Sequence, residues 1–152
     1  MNEPVEGAGL DPIDRLAILA AALPGAVVGQ RRIAAPFEAV WQVIADLEDS
    51  TPRYEPGVAR VRVVERRGEF LRLLVQDTAG REHTMEARLR PGWCVMQSAS
   101  VVVAFAARRL GDETLLAHLE QRRTASGPRE AALAKIDREL RTIERLAAPS
   151  EH

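Results

Sequence analysis

From Ala59 to Arg122 the chain falls again and again into period-2 alternation, and no helical stripe separates one alternating run from the next. Ala59, Val61 and Val63 oppose Arg60 and Arg62. Leu71, Leu73 and Val75 oppose Arg72 and Gln76. Met85, Ala87 and Leu89 oppose Glu82, Thr84, Glu86, Arg88 and Arg90. Successive side chains of a strand point to opposite faces, so each run has one buried and one wet face, the habit of antiparallel sheets. Arg67-Gly68 and Ala79-Gly80 supply short hairpin connections, Pro91-Gly92 and Gly111-Asp112 supply two more, and a turn falls near 97–100. Further strands are predicted from Trp93, over 101–105 and over 114–122, with an earlier one over 27–33. Strands spaced this evenly, without helices between them, exclude a parallel βαβ architecture.

Helical spacing occurs only outside that block. Asp11 suits an N-cap with Pro12 at the first helical position; Ile13, Leu16, Ala17 and Ala20 follow at helical spacing, and Pro24-Gly25 ends the helix. Pro36 opens a second helix with Phe37, Val40, Trp41 and Ile44 on one stripe. The polar segment 46–57 holds two prolines and reads as a short helical turn followed by a loop. A long helix begins at Ser126-Gly127-Pro128, with Pro128 at its first position and a stripe of Ala132, Leu133, Ile136, Leu140, Ile143 and Ala147. The prediction is an α+β domain over 26–148, a roughly seven-stranded antiparallel sheet with the last helix in its concave face. The first helix, 11–25, is an appendage, and 1–10 and 149–152 are tails, the first of them disordered.

Charge and cysteine content narrow the function classes. Twenty-one basic residues against 22 acidic ones leave no field to draw nucleic acid or an anionic membrane. The single cysteine, Cys94, excludes an intrachain disulfide and a cysteine-based zinc site; it reads as an inert small hydrophobe of a reducing compartment. The apolar run 16–28 lacks a basic segment before it and contains Pro24, so it reads as an amphipathic helix, neither a secretory leader nor a membrane span. The expected location is the cytoplasm. His83, His118 and His152 are too scattered for a metal pair, so no metal and no cofactor are expected.

Residues 30–46, Gln-Arg-Arg-Ile-Ala-Ala-Pro-Phe-Glu-Ala-Val-Trp-Gln-Val-Ile-Ala-Asp, resemble the opening of the START-like (SRPBCC) superfamily. That group includes polyketide cyclases and aromatases, lipid-transfer proteins and Bet v 1-type allergens. The match lies in Ala35-Pro36, Val40-Trp41 and Ile44-Ala45-Asp46, with Arg90-Pro-Gly-Trp93, Leu110-Gly-Asp112 and the closing helix in the expected later places. The resemblance implies a helix-grip fold enclosing an apolar cavity. It departs from many cyclase-like members in having no glycine in 97–105.

His83 shares phase with Met85, Ala87 and Leu89. It is either a cavity imidazole able to transfer a proton or a half-wet histidine at a strand end. His118, in phase with Leu116 and Glu120, is expected to face solvent. Arg53 and Tyr54 fall where the resemblance places the cavity entrance; Arg53 would grip a ligand oxygen or pair with a nearby acid. Asp77 is a pocket carboxylate or a turn acid. Ligand-lining candidates are Trp41, Tyr54, Leu73, Met85, Trp93, Met96, Phe105 and Leu140, with core packing the default for Trp41, Met85, Met96 and Phe105, and Trp93 either lining the cavity or covering an end of the barrel. Arg60, Arg62, Arg66, Arg67, Arg72, Arg88 and Arg90 are expected on the outer faces, paired across strands with Glu65, Glu69, Glu82 and Glu86.

Three functions fit this reading. The first is binding of a small hydrophobic or amphipathic molecule, lipid- or polyketide-like, in the cavity. The second is an enzyme similar to polyketide aromatase/cyclases, using His83 and Arg53. The third is an interaction module with a filled core. Partners beyond the ligand are not indicated, and a homodimer stays open.

Overall fold

The structure, a computed structural model, describes residues 10–122 and 127–149. The expected tails lie outside these apart from Leu10 and Pro149, as do His152 and Ser126.

Helix α1 (Pro12–Ala22) starts where the sequence signals it: the Asp11 carboxylate accepts from the Ile13 amide at 2.7 Å and the Asp14 amide at 3.2 Å. Strand β1 (Val27–Ile33) leads to α2 (Phe37–Ala45) and α3 (Leu47–Tyr54). Six strands follow: β2 (Val58–Arg67), β3 (Phe70–Asp77), β4 (Glu82–Arg90), β5 (Trp93–Gln97), β6 (Val101–Leu110) and β7 (Glu113–Arg122). Helix α4 (Arg129–Ala147) closes the chain, with Pro128 at its N-cap, one place earlier than predicted.

The strands form one sheet in the order β1-β7-β6-β5-β4-β3-β2, every neighbouring pair antiparallel. The expected α+β fold, a seven-stranded antiparallel sheet gripping a long C-terminal helix, is what the chain adopts. The alternation of β3 holds, with Leu71, Leu73 and Val75 inside. Outside, Arg72 pairs with Glu65 at 2.9 Å and Arg88 pairs with Glu69.

Helix α4 lies on the concave face through Ile136, Leu140 and Ile143, all essentially without exposure. It can come this close to β1 because position 29 is glycine: a Cβ there would stand 2.7 Å from the Ile136 Cγ2 methyl. At its far end the Glu144 carboxylate accepts from the Ala34 amide and the Arg31 guanidinium, both at 2.9 Å, tying α4 to the β1–α2 connection.

Two elements differ from the sequence reading. The segment 46–57 contains a two-turn helix, α3, despite Pro52 within it. Leu47, Thr51 and Tyr54 recur at i, i+4, i+7 and are all buried, so tertiary packing outweighs a polar, proline-bearing composition. Asp46 caps it, accepting from the Asp49 amide. Helix α1 is also more than an appendage. It covers the outer face of the sheet, burying Ile13 and Leu16 against Trp93, Val102, Ala104, Ala106, Ala117 and Leu119. The Arg15 guanidinium lies 4.6 Å above the Trp93 ring, and Arg108 pairs with Asp11. This second apolar layer leaves β6 and β7 buried on both faces.

Candidate functional site

A cavity of about 220 Å³ lies between α3 and the concave face. Its wall is built from inward residues of β2 to β6: Val61, Leu73, Val75, Met85, Met96, Val103 and Phe105. Most of these are buried aliphatics or thioethers, so the middle of the cavity offers no hydrogen bond. Its polar groups gather at two ends. Exposed His83, Ser100 and Arg122, with Asp77 and Ser98, ring the mouth. At the buried end stand Thr51 and Tyr54 from α3 and His118 from β7.

At the mouth, Asp77 is both things the sequence allowed. It accepts from the Ala79 and Arg81 amides at 2.9 Å, organising the turn, and it lies 3.3 Å from His83 Nε2 while lining the cavity. The Arg81 amide is the foremost of several donors that hold its carboxyl below the usual range.

The buried end carries what sequence reasoning missed. His118 is not at the surface but 1% exposed, stacked on Phe105 with ring centroids 4.1 Å apart and planes 5° from parallel. The expectation failed because β7 is apolar in both phases: Leu115, Ala117 and Leu119 pack outward under α1. The opposite phase of β7, with Leu116, His118 and Glu120, faces the cavity and α4. His118 Nδ1 lies 3.1 Å from the Ala104 carbonyl, and Nε2 lies 2.8 Å from Glu139 and 3.2 Å from Glu120. Lys135, one helical turn before Glu139, sets its ammonium 2.8 Å from Glu55, 2.8 Å from Glu120 and 2.6 Å from Glu139.

Five ionisable groups from α3, β7 and α4 thus form one network. Burial pulls the His118 imidazole down, but Glu120 and Glu139 outweigh it and raise its pKa to about 9. It is therefore a cation at neutral pH with both N–H groups donating, one to Ala104 and one to the carboxylates. Burial pushes Glu120 up, yet His118 and Lys135 hold it far below the usual range. Glu139 is the exception: burial, helped by the neighbouring Glu55 and Glu120, leaves it raised to about 7. Two cations thus face three carboxyls, of which Glu139 is the one that most readily takes up a proton. The signal was present as Glu139 within the apolar stripe of α4, three residues from Ile136 and four from Ile143. A buried acid on a core face needs partners.

Ligand atoms of His118, Glu120 and Glu139 lie within 4.8 Å of one another, which suits a metal ion geometrically. The Lys135 ammonium already stands among those carboxylates, so a metal would have to displace a bound cation.

Of the residues proposed from sequence, the cavity brings together Tyr54, Leu73, His83, Met85, Met96 and Phe105. It leaves out four. Arg53 is exposed, on the side of α3 away from the buried Leu47–Thr51–Tyr54 stripe. Trp41 belongs to the core, stacked on Phe37. Trp93 alternates with cavity-side Cys94 and Met96 and so faces outward to α1. Leu140 is covered by the sheet and α2 in the main core. Cys94 is buried and free, its thiol pushed up to about 12 by desolvation.

Residues 33–121 match the family described as polyketide cyclase/dehydrase and lipid transport. Comparison with curated proteins finds no matching relative. Among solved structures, a protein from Thermus thermophilus superposes with a TM-score of 0.63 at 17% identity, over 80% of this chain and 96% of that one. The Zhui aromatase/cyclase from Streptomyces sp. R1128 gives 0.55 at 19%, over 80% and 90%. A START superfamily protein from Mycobacterium smegmatis gives 0.52 at 18%, over 80% and 92%. Identities this low speak for the fold alone, while the family match spans more than half of the chain: this protein belongs to the polyketide cyclase/dehydrase and lipid-transport family.

Proposed function

We propose that this protein binds a small apolar or amphipathic molecule, roughly the size of one or two fused rings, in the cavity beneath α3. The observation that carries this reading is a continuous apolar wall with polar groups confined to its two ends. A cavity of roughly 150 Å³ accepts benzene, so about 220 Å³ suits a ring with substituents or a bicycle. Open space between the sheet and α3 counts against the filled-core alternative. Among the described residues no helix is long and apolar enough to cross a membrane.

An enzyme similar to the aromatase/cyclases needs a group free to move a proton to the ligand. His118 has both ring nitrogens engaged, which favours binding over catalysis. The His83–Asp77 pair at the mouth is the arrangement that supports the catalytic alternative.

Native mass spectrometry tests the binding reading. Wild-type protein is expected to carry a discrete small mass that is lost on denaturation. Val75→Phe, which fills the cavity from β3, is expected to carry none. Absence of any bound mass in the wild type after incubation with fused-ring compounds overturns the reading.

A further inference from the structure

Two hydroxyls at the buried end of the cavity have no hydrogen-bond partner among the described residues: Thr51 Oγ1 and Tyr54 Oη. Both residues are more than nine-tenths buried, at 7% and 5% exposure, and both line the cavity. They stand at i, i+3 on α3, on one face of the helix. The Thr51 hydroxyl acts on the phenol, yet the two do not close a bond of good geometry. A buried polar group without a partner is costly, and one such group facing a cavity is most simply completed by whatever enters it. Two here converge on the same space. The rest of the buried end is taken: His118 donates elsewhere, and Lys135 is held by three carboxylates.

Resting on the binding reading above, we infer that the buried end of this cavity is a subsite for one neutral acceptor oxygen of the ligand, a ketone or similar carbonyl, held by the Tyr54 and Thr51 hydroxyls. A carbonyl oxygen has two lone pairs, matching two hydroxyl donors side by side. Desolvation keeps the phenol protonated far above neutral pH, so it is a standing donor. Both cations at this end, His118 and Lys135, already meet carboxylates at 2.6–3.2 Å, so a ligand carboxylate placed there would find no unpaired cation to receive it. Neutral oxygen is accepted and anionic oxygen refused. Tyr54 packs edge-on against Phe105, ring centroids 5.8 Å apart at 86°, which fixes the direction of the phenol toward its ligand.

The chain contains one tyrosine, so the subsite has its own reporter. The experiment uses the full chain, ring-¹³C-tyrosine labelling and three probes of similar size: 1-tetralone, the hydrocarbon tetralin, and 2-naphthoate. The wild type is expected to bind 1-tetralone more tightly than tetralin, with the single tyrosine resonance shifting on tetralone addition. Tyr54→Phe is expected to weaken tetralone by roughly five- to tenfold, the worth of one neutral hydrogen bond, and to leave tetralin unchanged. Thr51→Val should do the same to a smaller extent, and neither variant should lower stability, since each removes an unpaired polar group. Naphthoate is expected to bind more weakly than 1-tetralone, with an affinity that does not respond to Tyr54→Phe; naphthoate binding as tightly as tetralone overturns the claim of neutrality. Tetralone and tetralin binding alike, with no effect of either variant, overturns the subsite and leaves the binding reading standing. Naphthoate weakened by Tyr54→Phe overturns the claim of neutrality. Failure of all three probes to bind overturns the binding reading and the subsite together.

Discussion

Replacing Lys135 by Met isolates the contribution of charge in the buried network, because methionine keeps most of the stem and its packing while removing the ammonium. In the native chain that ammonium touches three carboxylates at 2.6–2.8 Å. At an effective dielectric of about 20, each contact near 4 Å between charge centres is worth roughly 4 kcal/mol before desolvation is subtracted. The side chain keeps 22% of its exposure, so water relieves part of the loss. Removing one partner of a buried ion pair typically costs about 3–5 kcal/mol, and the lower half of that range, about 3–4 kcal/mol, is expected at pH 8. For a domain of this size that is roughly 6–16 °C in Tm. The signature is in the pH dependence. Without Lys135 the carboxyls bind protons more tightly in the folded state, so the penalty shrinks as pH falls from 8 to 5. Adding Glu139→Gln to Lys135→Met should recover at least about 1 kcal/mol, because the two residues are in contact and their effects couple. Urea unfolding of both variants at pH 5 and pH 8 measures all of this. A loss below about 1 kcal/mol at pH 8, or one indifferent to pH and to Glu139→Gln, refutes the electrostatic account.

Wild-type stability should itself pass through a maximum between about pH 4.5 and 6.5. His118, raised from 6.5 to about 9, stabilises fully below 6.5 and loses that contribution as pH rises through 9, roughly 3 kcal/mol in all. Glu139, raised from 4.5 to about 7, weakens the fold in the same direction as pH rises through 7, whereas Glu120 and Glu55, both lowered from 4.5, lose their contribution as pH falls through their folded values. A thermal-unfolding series from pH 4 to 10 that is flat or peaks above pH 8 contradicts this assignment. Gly29→Ala should destabilise by about 1–3 kcal/mol, since the new methyl would meet the buried, branched Ile136 at 2.7 Å; equal urea midpoints for wild type and variant would show that α4 can move off β1 freely.

The fold was legible because its instructions are local and repeated. Period-2 alternation in β3 and β4, glycine turns between them and a capped terminal helix each point to the same architecture. Leu73, Met85 and His83, which line the cavity, sit on strands with one wet face, where phase alone tells inside from outside. Phase ceased to be informative in β5 and β7. There α1 supplies a second apolar layer, so Leu115, Ala117 and Leu119 look like core on one side while His118 and Glu120 are equally buried on the other. Trp93 was misplaced for the same reason. Tyr54 was reached only through the family resemblance, and α3 was underread because its inward stripe consists of a leucine, a threonine and a tyrosine rather than three aliphatics.

The charged network and the cavity are physically one design. An apolar stripe such as Ile136, Leu140 and Ile143 defines which face of α4 packs, but a shift along the sheet would exchange one aliphatic contact for another at small cost. The contacts of His118, Lys135 and Glu139 do not tolerate such a shift, because every displaced group would be left buried and uncompensated. Ionic contacts from α4 to Glu55 at the end of α3 and to Glu120 on β7 therefore hold the helix at a fixed register, and with it the roof of the cavity. Because His118 and Lys135 are fully engaged in that task, they leave ligand recognition to neutral groups, and the two unpaired hydroxyls of α3 are what remains at the buried end to perform it.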